Sequence, residues 1–216
     1  MSQEIIMALA SLIALVLAVT THEAAHGFMA KVFGDRTAES MGRLTLNPIP
    51  HIDLFGTIML PGLMFMAGTP FLFGYAKPVP VDFRNLKPQR FGEIMVSFAG
   101  VGANFILAFI AALLLHINPT KETFGNDILV RLIMINVVLG VFNLIPILPL
   151  DGGRILQRLL PYRLAEPYSR TEPYGMLIIL GLLMLPSLIG VDILRAIMIP
   201  AVHFITSMIV SGAGLN

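Results

Sequence analysis

The chain has 216 residues, of which 56% are hydrophobic and only 12% are charged. Soluble domains carry about 25% charged residues, so this composition indicates an integral membrane protein. Cysteine is absent from the sequence, which excludes disulfides, thiolate metal ligands and a cysteine nucleophile. The net charge of +1 comes without a basic helix face, so nothing indicates nucleic-acid binding.

Apolar tracts of membrane-spanning length follow one another along the chain. They cover residues 5–21, 52–75, 92–116, 128–150 and 174–213, and the last is long enough for two helices broken near residues 186–190. The first tract lacks the basic start and cleavage site of a signal peptide, so we expect it to remain as a helix. These tracts predict an all-α membrane protein with about five to six transmembrane helices.

The loops between the tracts differ in charge. Those at residues 31–51, 77–90 and 154–173 are basic, whereas residues 117–127 are not. The positive-inside rule therefore predicts that the three basic loops lie in the cytoplasm and that the amino terminus lies outside. Residues 52–75 then start and end on the same side, and glycines and prolines interrupt them, so we expect a hairpin or re-entrant segment.

The sequence HEAAH at residues 22–26 follows the first apolar tract. Ionisable side chains at mid-bilayer cost about 2.5 to 3.5 kcal/mol each, so a compensating partner is expected. On a helix, His22 and His26 project from one face and can bind one metal ion, while Glu23 can reach a water on that ion. The alternative is a solvated helix end with a His-Glu-His cluster.

A catalytic zinc site usually has three protein ligands. Without cysteine, the third ligand must be His, Asp or Glu, and the candidates near membrane depth are Glu93, His116, Asp151, Asp192 and His203. Asp151 lies in the run NLIPILPLDGGR at residues 143–154, where two prolines should unwind the helix near Asn143. Unwound backbone in a membrane must be buried or line a wet cavity, so we expect Asn143 and Asp151 to line one.

Charge favours Asp151 as the third ligand. Zinc, two neutral imidazoles, Asp151 and ionised Glu23 sum to zero, which suits a site of low dielectric constant. The alternative is a proline-kinked helix that ends in an interfacial loop, with Asp151 simply solvated.

The HEAAH sequence and the later NxxPxxPLDGG run at residues 143–153 together resemble the two signatures of the site-2 protease family of intramembrane zinc metalloproteases. GRLTLNPIPHIDLFGTIMLPG and FGYAKPVPVDFRNLKPQR resemble the short bacterial and archaeal subgroup that lacks PDZ and CBS domains. The resemblance implies that His22, His26 and Asp151 bind one Zn²⁺ per chain and that Glu23 is the general base. One departure is the sequence Gly-Val at residues 100–101, where relatives have Gly-Pro; it should straighten that helix without removing a ligand.

The same resemblance implies a function in the cell membrane. We expect a single integral membrane metalloprotease domain over residues 1–216, with a catalytic core at about residues 5–160 and C-terminal helices at about residues 174–213. It would cleave peptide bonds within or near transmembrane segments of single-pass proteins in the lipid bilayer. A metal-ion transporter or a non-catalytic scaffold with a zinc site is the alternative, and the presence of Glu23 favours the protease.

Further candidate residues would contact the substrate. Asn143 is expected to orient the scissile carbonyl or to stabilise the oxyanion. Asn104 has a weaker case, because its spacing from Gly100 serves helix packing equally well. His51 either lines the site or is satisfied by backbone.

Residues 43–47 alternate polar and apolar side chains before Pro48, a pattern typical of a short edge strand. We expect Leu44, Thr45 and Leu46 to form this membrane-associated β element, which would pair with an unwound substrate.

Overall fold

The computed structural model describes residues 3–66, 74–117, 124–190 and 192–215. These residues form nine α-helices: α1 (Gln3–Val32), α2 (Thr37–Ser40), α3 (Leu60–Met66), α4 (Gln89–Ile117), α5 (Phe124–Asn143), α6 (Asp151–Leu159), α7 (Tyr162–Ser169), α8 (Gly175–Ile189) and α9 (Ile193–Gly212). A π-helical stretch, Leu54–Met59, leads into α3, and short 3₁₀ turns occur at Ile49–His51, Phe83–Asn85 and Glu172–Tyr174.

Four of these helices, α1, α4, α5 and α9, are long and apolar enough to cross a membrane. The multi-pass membrane architecture predicted from the sequence is therefore confirmed. The predicted count of five to six spans is not confirmed. Helix α8 has only 15 residues and is about 22 Å long at about 1.5 Å per residue. A bilayer core of about 30 Å needs roughly 20 residues.

Helices α1, α4 and α5 pack on one another and form the centre of the molecule, while α9 lies against α5 and α4. Ala10, Ala14 and Ala18 form a fully buried row at four-residue spacing on α1. Small side chains allow membrane helices to approach closely where van der Waals contact drives association. The same row continues along α1 to His22 and His26, so close packing also buries the two histidines.

The two ends of the 52–75 tract meet. The backbone nitrogen of Tyr75 donates to the oxygen of Gly56 over 3.1 Å, and that of Lys77 donates to the oxygen of His51 over 2.9 Å. The Thr57 hydroxyl also donates to the Tyr75 oxygen. These contacts support the expectation that the tract begins and ends on the same side; residues 67–73 lie outside the described residues.

The β element expected at residues 43–47 is not observed, because the described part of the chain contains no strand. The backbone nitrogen of Asn47 donates to the Thr45 hydroxyl, and that of Ile49 donates to the Asn47 side-chain oxygen. Such local side-chain acceptors compete with strand pairing and bend the chain. The alternation of polar and apolar residues did not reveal this competition.

Helix α5 ends at Asn143, where the sequence predicted unwinding, and the chain reverses into α6, which begins with Asp151. Glycine is required in this reversal, because a Cβ at Gly153 would stand 2.5 Å from the backbone nitrogen of Leu148. At the other end of α6, the Arg158 guanidinium pairs with the buried carboxylate of Glu93 on α4. The tight turn and this ion pair hold Asp151 against α4.

Candidate metal centre

Three potential ligand atoms converge where α1 passes the start of α6. His22 Nε2 lies 3.0 Å from His26 Nε2, and Asp151 Oδ2 lies 3.3 Å from the former and 3.5 Å from the latter. The two imidazole rings are nearly perpendicular, and their centroids are 4.6 Å apart. All three side chains are at most 13% exposed, so the cluster is largely shielded from solvent.

The other ring nitrogen of each histidine is bonded to an acceptor. His22 Nδ1 lies 2.6 Å from Asn104 Oδ1, and His26 Nδ1 lies 2.7 Å from the backbone oxygen of Val96. A neutral imidazole that donates from Nδ1 presents a lone pair at Nε2. Asp151 Oδ2 is buried and has no hydrogen-bond partner among the described residues. Three lone pairs therefore face one another, an arrangement that a cation stabilises.

The spacing of the three atoms fits zinc. A tetrahedral ion with ligand bonds of about 2.0 to 2.1 Å places its ligand atoms about 3.3 Å apart. The observed separations of 3.0, 3.3 and 3.5 Å lie around that value. Two histidines and one carboxylate leave a fourth position for water or substrate, which is the ligand number of catalytic rather than structural zinc sites.

Gly100 on α4 borders the cluster. A Cβ at this position would be 2.7 Å from His22 Cε1 and closer still to His26 Nε2. The helix therefore approaches the ligands at a point where no larger residue fits. The close approach of α4 to the two histidines is thus present with valine, and not proline, at residue 101.

Glu23 stands beside the cluster on α1. One of its oxygens, Oε2, accepts a hydrogen bond of 2.8 Å from the backbone nitrogen of Val79. Val79 and Leu44 also meet over Gly27, where a Cβ would be 2.9 Å from either side chain. The loop that contains Val79 therefore lies across α1 next to His26, and it fixes one carboxylate oxygen of Glu23.

Two of the other predicted site residues are turned toward backbone. The Asn143 amide nitrogen donates to the Leu139 oxygen of its own helix over 3.0 Å, and no hydrogen bond joins Asn143 to the three ligands. His51 is buried, with Nε2 3.1 Å from the Thr45 oxygen. Among the described residues neither side chain is hydrogen-bonded to His22, His26 or Asp151; the backbone satisfies Nε2 of His51 but leaves its buried Nδ1 without a partner.

Asn104 is fully buried between α1 and α5, with its oxygen toward His22. This environment points to a role in orienting His22.

In the predicted substrate segment, Leu44 lies over Gly27, whereas Leu46 is 62% exposed. Of the other ligand candidates, Glu93 pairs with Arg158 and Asp192 caps α9, and the described residues contain no second cluster of three potential ligands.

Two groups near the site were not predicted from the sequence. Asn136 on α5 bonds to Asn104, and the backbone nitrogen of Val79 bonds to Glu23. A polar amide in an apolar membrane helix is a signal that could have identified Asn136. No sequence signal identifies a backbone donor 56 residues away from its acceptor.

Comparisons with known proteins agree with this geometry. A sequence profile described as "Peptidase family M50" matches residues 10–132 and 120–186. The chain is 43% identical over 160 residues to the "Putative zinc metalloprotease YwhC" of Bacillus subtilis (strain 168). This match covers 69% of this chain and 68% of that protein.

More distant relatives carry similar names. The chain is 31% identical over 143 residues to the "Putative zinc metalloprotease Rip2" of Mycolicibacterium smegmatis, covering 65% of this chain and 53% of that protein. It is 26% identical over 148 residues to the "Zinc metalloprotease MJ0392" of Methanocaldococcus jannaschii. This match covers 68% of this chain and 33% of that protein. No solved structure matches the chain. The extent of the profile match and the identity to the Bacillus protein show that the chain belongs to peptidase family M50, the site-2 protease family of membrane-embedded zinc metalloproteases.

Proposed function

We propose that the protein is a zinc-dependent intramembrane endopeptidase that cleaves single-pass membrane proteins within or near their transmembrane segments. The observation that carries this proposal is the convergence of His22, His26 and Asp151 inside the membrane domain. His22 and His26 lie about 15 and 9 Å before the end of α1, at about 1.5 Å per residue. Because α1 is long and apolar enough to cross a membrane, a site on it would reach peptide bonds that a soluble protease does not.

His22, His26 and Asp151 would hold one Zn²⁺ per chain, which when bound supplies a Lewis acid for a carbonyl and lowers the pKa of water to near 7. Glu23 takes the proton from the attacking water at Oε1, because its Oε2 is already bonded to Val79. It then delivers that proton to the nitrogen of the departing amine. Asn143, at the unwound end of α5, would have to turn its amide away from Leu139 to donate to the scissile carbonyl oxygen.

The substrate has to lose its helix locally, because an intact hydrogen-bonded helix does not present a single peptide bond to Glu23. The loop that contains Val79 and the segment that contains Leu44 both lie over Gly27, one residue beyond His26. We place the extended substrate next to these two segments, in the bilayer. The names of the relatives support a zinc metalloprotease, and the apolar helices around the site support a membrane substrate.

The test is cleavage of a panel of single-pass helices by the purified protein in detergent, with and without a zinc chelator. Glu23→Gln should reduce cleavage by at least about 10²-fold, since it removes the general base. Its zinc content should stay at one ion per chain, because no ligand is changed. The matched control is Glu39→Gln, the same chemical change at a half-exposed carboxylate paired with Lys31, which should cleave like the wild type.

The metal-transport alternative predicts a different result. A transporter needs the three ligands but no general base, so Glu23→Gln would leave zinc flux across vesicle membranes unchanged and no helix of the panel would be cut. Cleavage that survives the chelator or the Glu23→Gln change would contradict the proposed function.

A further inference from the structure

Three polar side chains from three different helices meet in the apolar centre of the molecule: His22 on α1, Asn104 on α4 and Asn136 on α5. Both asparagines are fully buried. Burial of an amide without a partner costs about 1 to 3 kcal/mol, so such groups are normally bonded to one another. Here they form a continuous chain of hydrogen bonds that ends at a proposed metal ligand.

Backbone carbonyl oxygens determine which group donates and which accepts in each of these hydrogen bonds. The Asn136 amide nitrogen donates to the Leu132 oxygen over 2.8 Å, so the Asn136 oxygen faces Asn104. The Asn104 nitrogen then donates to that oxygen over 2.8 Å and to the Ala18 oxygen over 3.1 Å. Carbonyl oxygens only accept, so a flipped Asn104 amide would place oxygen against two acceptors. Asn104 Oδ1 is therefore the atom left for His22.

An oxygen in that place allows one neutral form of His22, the form with its proton on Nδ1. We propose that Asn136 and Asn104 are positioning residues that lock His22 in this form and thereby set the metal affinity of the site. His26 needs no such device, because its Nδ1 faces the backbone oxygen of Val96, which cannot rotate. The proposal rests on the metal site of the proposed function but not on proteolysis.

The energetic effect follows from the competing form of His22. If Asn104 can rotate, its nitrogen can face the ring and favour the neutral form with the proton on Nε2. That form has no lone pair at Nε2, the atom that faces the metal position, so the proton must move to Nδ1 before the metal binds. Loss of an outer hydrogen bond to a metal-binding histidine typically weakens metal affinity about 10- to 100-fold.

The test is zinc affinity, measured by competition with a chromophoric chelator on the purified full-length protein in detergent. Asn136→Leu keeps the size of the side chain but removes one of the two acceptors of the Asn104 nitrogen and leaves the Ala18 oxygen, so it should raise the zinc Kd about 10-fold, the lower end of the range for a direct partner. Asn136→Asp, protonated in this apolar centre, retains an oxygen toward Asn104 and an O–H for the Leu132 oxygen, so it should stay within about threefold of the wild type, which corresponds to less than about 0.7 kcal/mol. Ser97→Ala removes a buried hydroxyl of α4 that is not part of these hydrogen bonds and should leave the Kd unchanged.

A second measurement separates positioning from helix packing. Nitrogen-15 NMR of the zinc-free protein, labelled at histidine, reports which ring nitrogen of His22 carries the proton. The wild type and Asn136→Asp should show the proton on Nδ1, and Asn136→Leu should show a mixture. The melting temperature of the zinc-free protein should be similar for all three.

Several results would overturn the proposal. They are an unchanged zinc Kd in Asn136→Leu, an equal loss of affinity in Asn136→Asp, or an unchanged His22 proton position in a variant that binds zinc weakly. If Asn136→Leu does not fold, Asn136→Ala is submitted to the same two measurements and judged by the same outcomes. Because no cleavage is measured, failure of the protease assignment would not produce any of these results.

Discussion

Replacing Gly100 with alanine should damage the metal site while leaving the rest of the fold intact. The added Cβ would be 2.7 Å from His22 Cε1, about 0.7 Å inside the 3.4 Å at which ordinary contacts begin, and it would be closer still to His26 Nε2. Neither ring can retreat freely, since each is tied at Nδ1 to Asn104 or to Val96. The methyl group therefore competes with the metal for the same space.

The magnitude follows from the cost of overpacking. One extra methyl in a closely packed site costs about 1 to 3 kcal/mol. In the zinc-free protein the rings can shift by breaking a hydrogen bond, whereas bound zinc tolerates ligand displacements of only about 0.2 Å. Most of the cost should therefore fall on binding, and each 1.4 kcal/mol is a factor of ten, so we expect the zinc Kd of Gly100→Ala to rise about 5- to 150-fold.

The chain supplies a matched control two residues away. A Cβ at Gly102 would be 3.9 Å from the Phe98 ring, an ordinary contact. Both substitutions gain the same helix propensity of about 1 kcal/mol, so Gly102→Ala should be neutral or stabilising. The assay is chelator competition for zinc, with the melting temperature of the zinc-free protein alongside. Equal zinc affinity in Gly100→Ala and Gly102→Ala would refute this account of the site.

Two further predictions concern the loops beside α1. Val79→Pro removes the backbone N–H that holds Glu23, so kcat should fall about 10-fold at unchanged zinc content. Val79→Ala keeps this donor and should have the kcat of the wild type. Equal kcat in the two variants would contradict this role of the Val79 N–H. Burial alone would raise the pKa of Asp35, but hydrogen bonds from Asn85 and Thr37 outweigh it and hold that pKa below its ordinary value of 3.8. A lowered folded-state pKa stabilises the protein above pH 3.8 and loses that effect as the pH falls through the folded-state value. Asp35→Asn should therefore lower the melting temperature at pH 7 and reduce the fall of the melting temperature as the pH is lowered. If Asp35→Asn lowers the melting temperature by the same amount at every pH, the charge of Asp35 is not responsible.

The sequence by itself determined the membrane class, the metal-binding residue types and the end of α5. Each of these depends on local chemistry. Hydrophobic runs of spanning length partition into lipid whatever their neighbours are, histidines four residues apart share a helix face, and two prolines in close succession disfavour continuation of a helix. For that reason His22, His26 and Asp151 could be proposed as ligands from the pattern of residues along the chain.

Tertiary structure decided which partner each of these groups has. Asn104 contacts His22 only because α4 packs against α1, and Asn136 contacts Asn104 only because α5 packs against α4. The close contact at Gly100 and the Val79 donor likewise arise from contacts between distant segments that hydrophobic periodicity does not encode. Spacing along the chain fixes which residues share a helix face, whereas the rotation of that helix against its neighbours is set by packing of all the side chains at once.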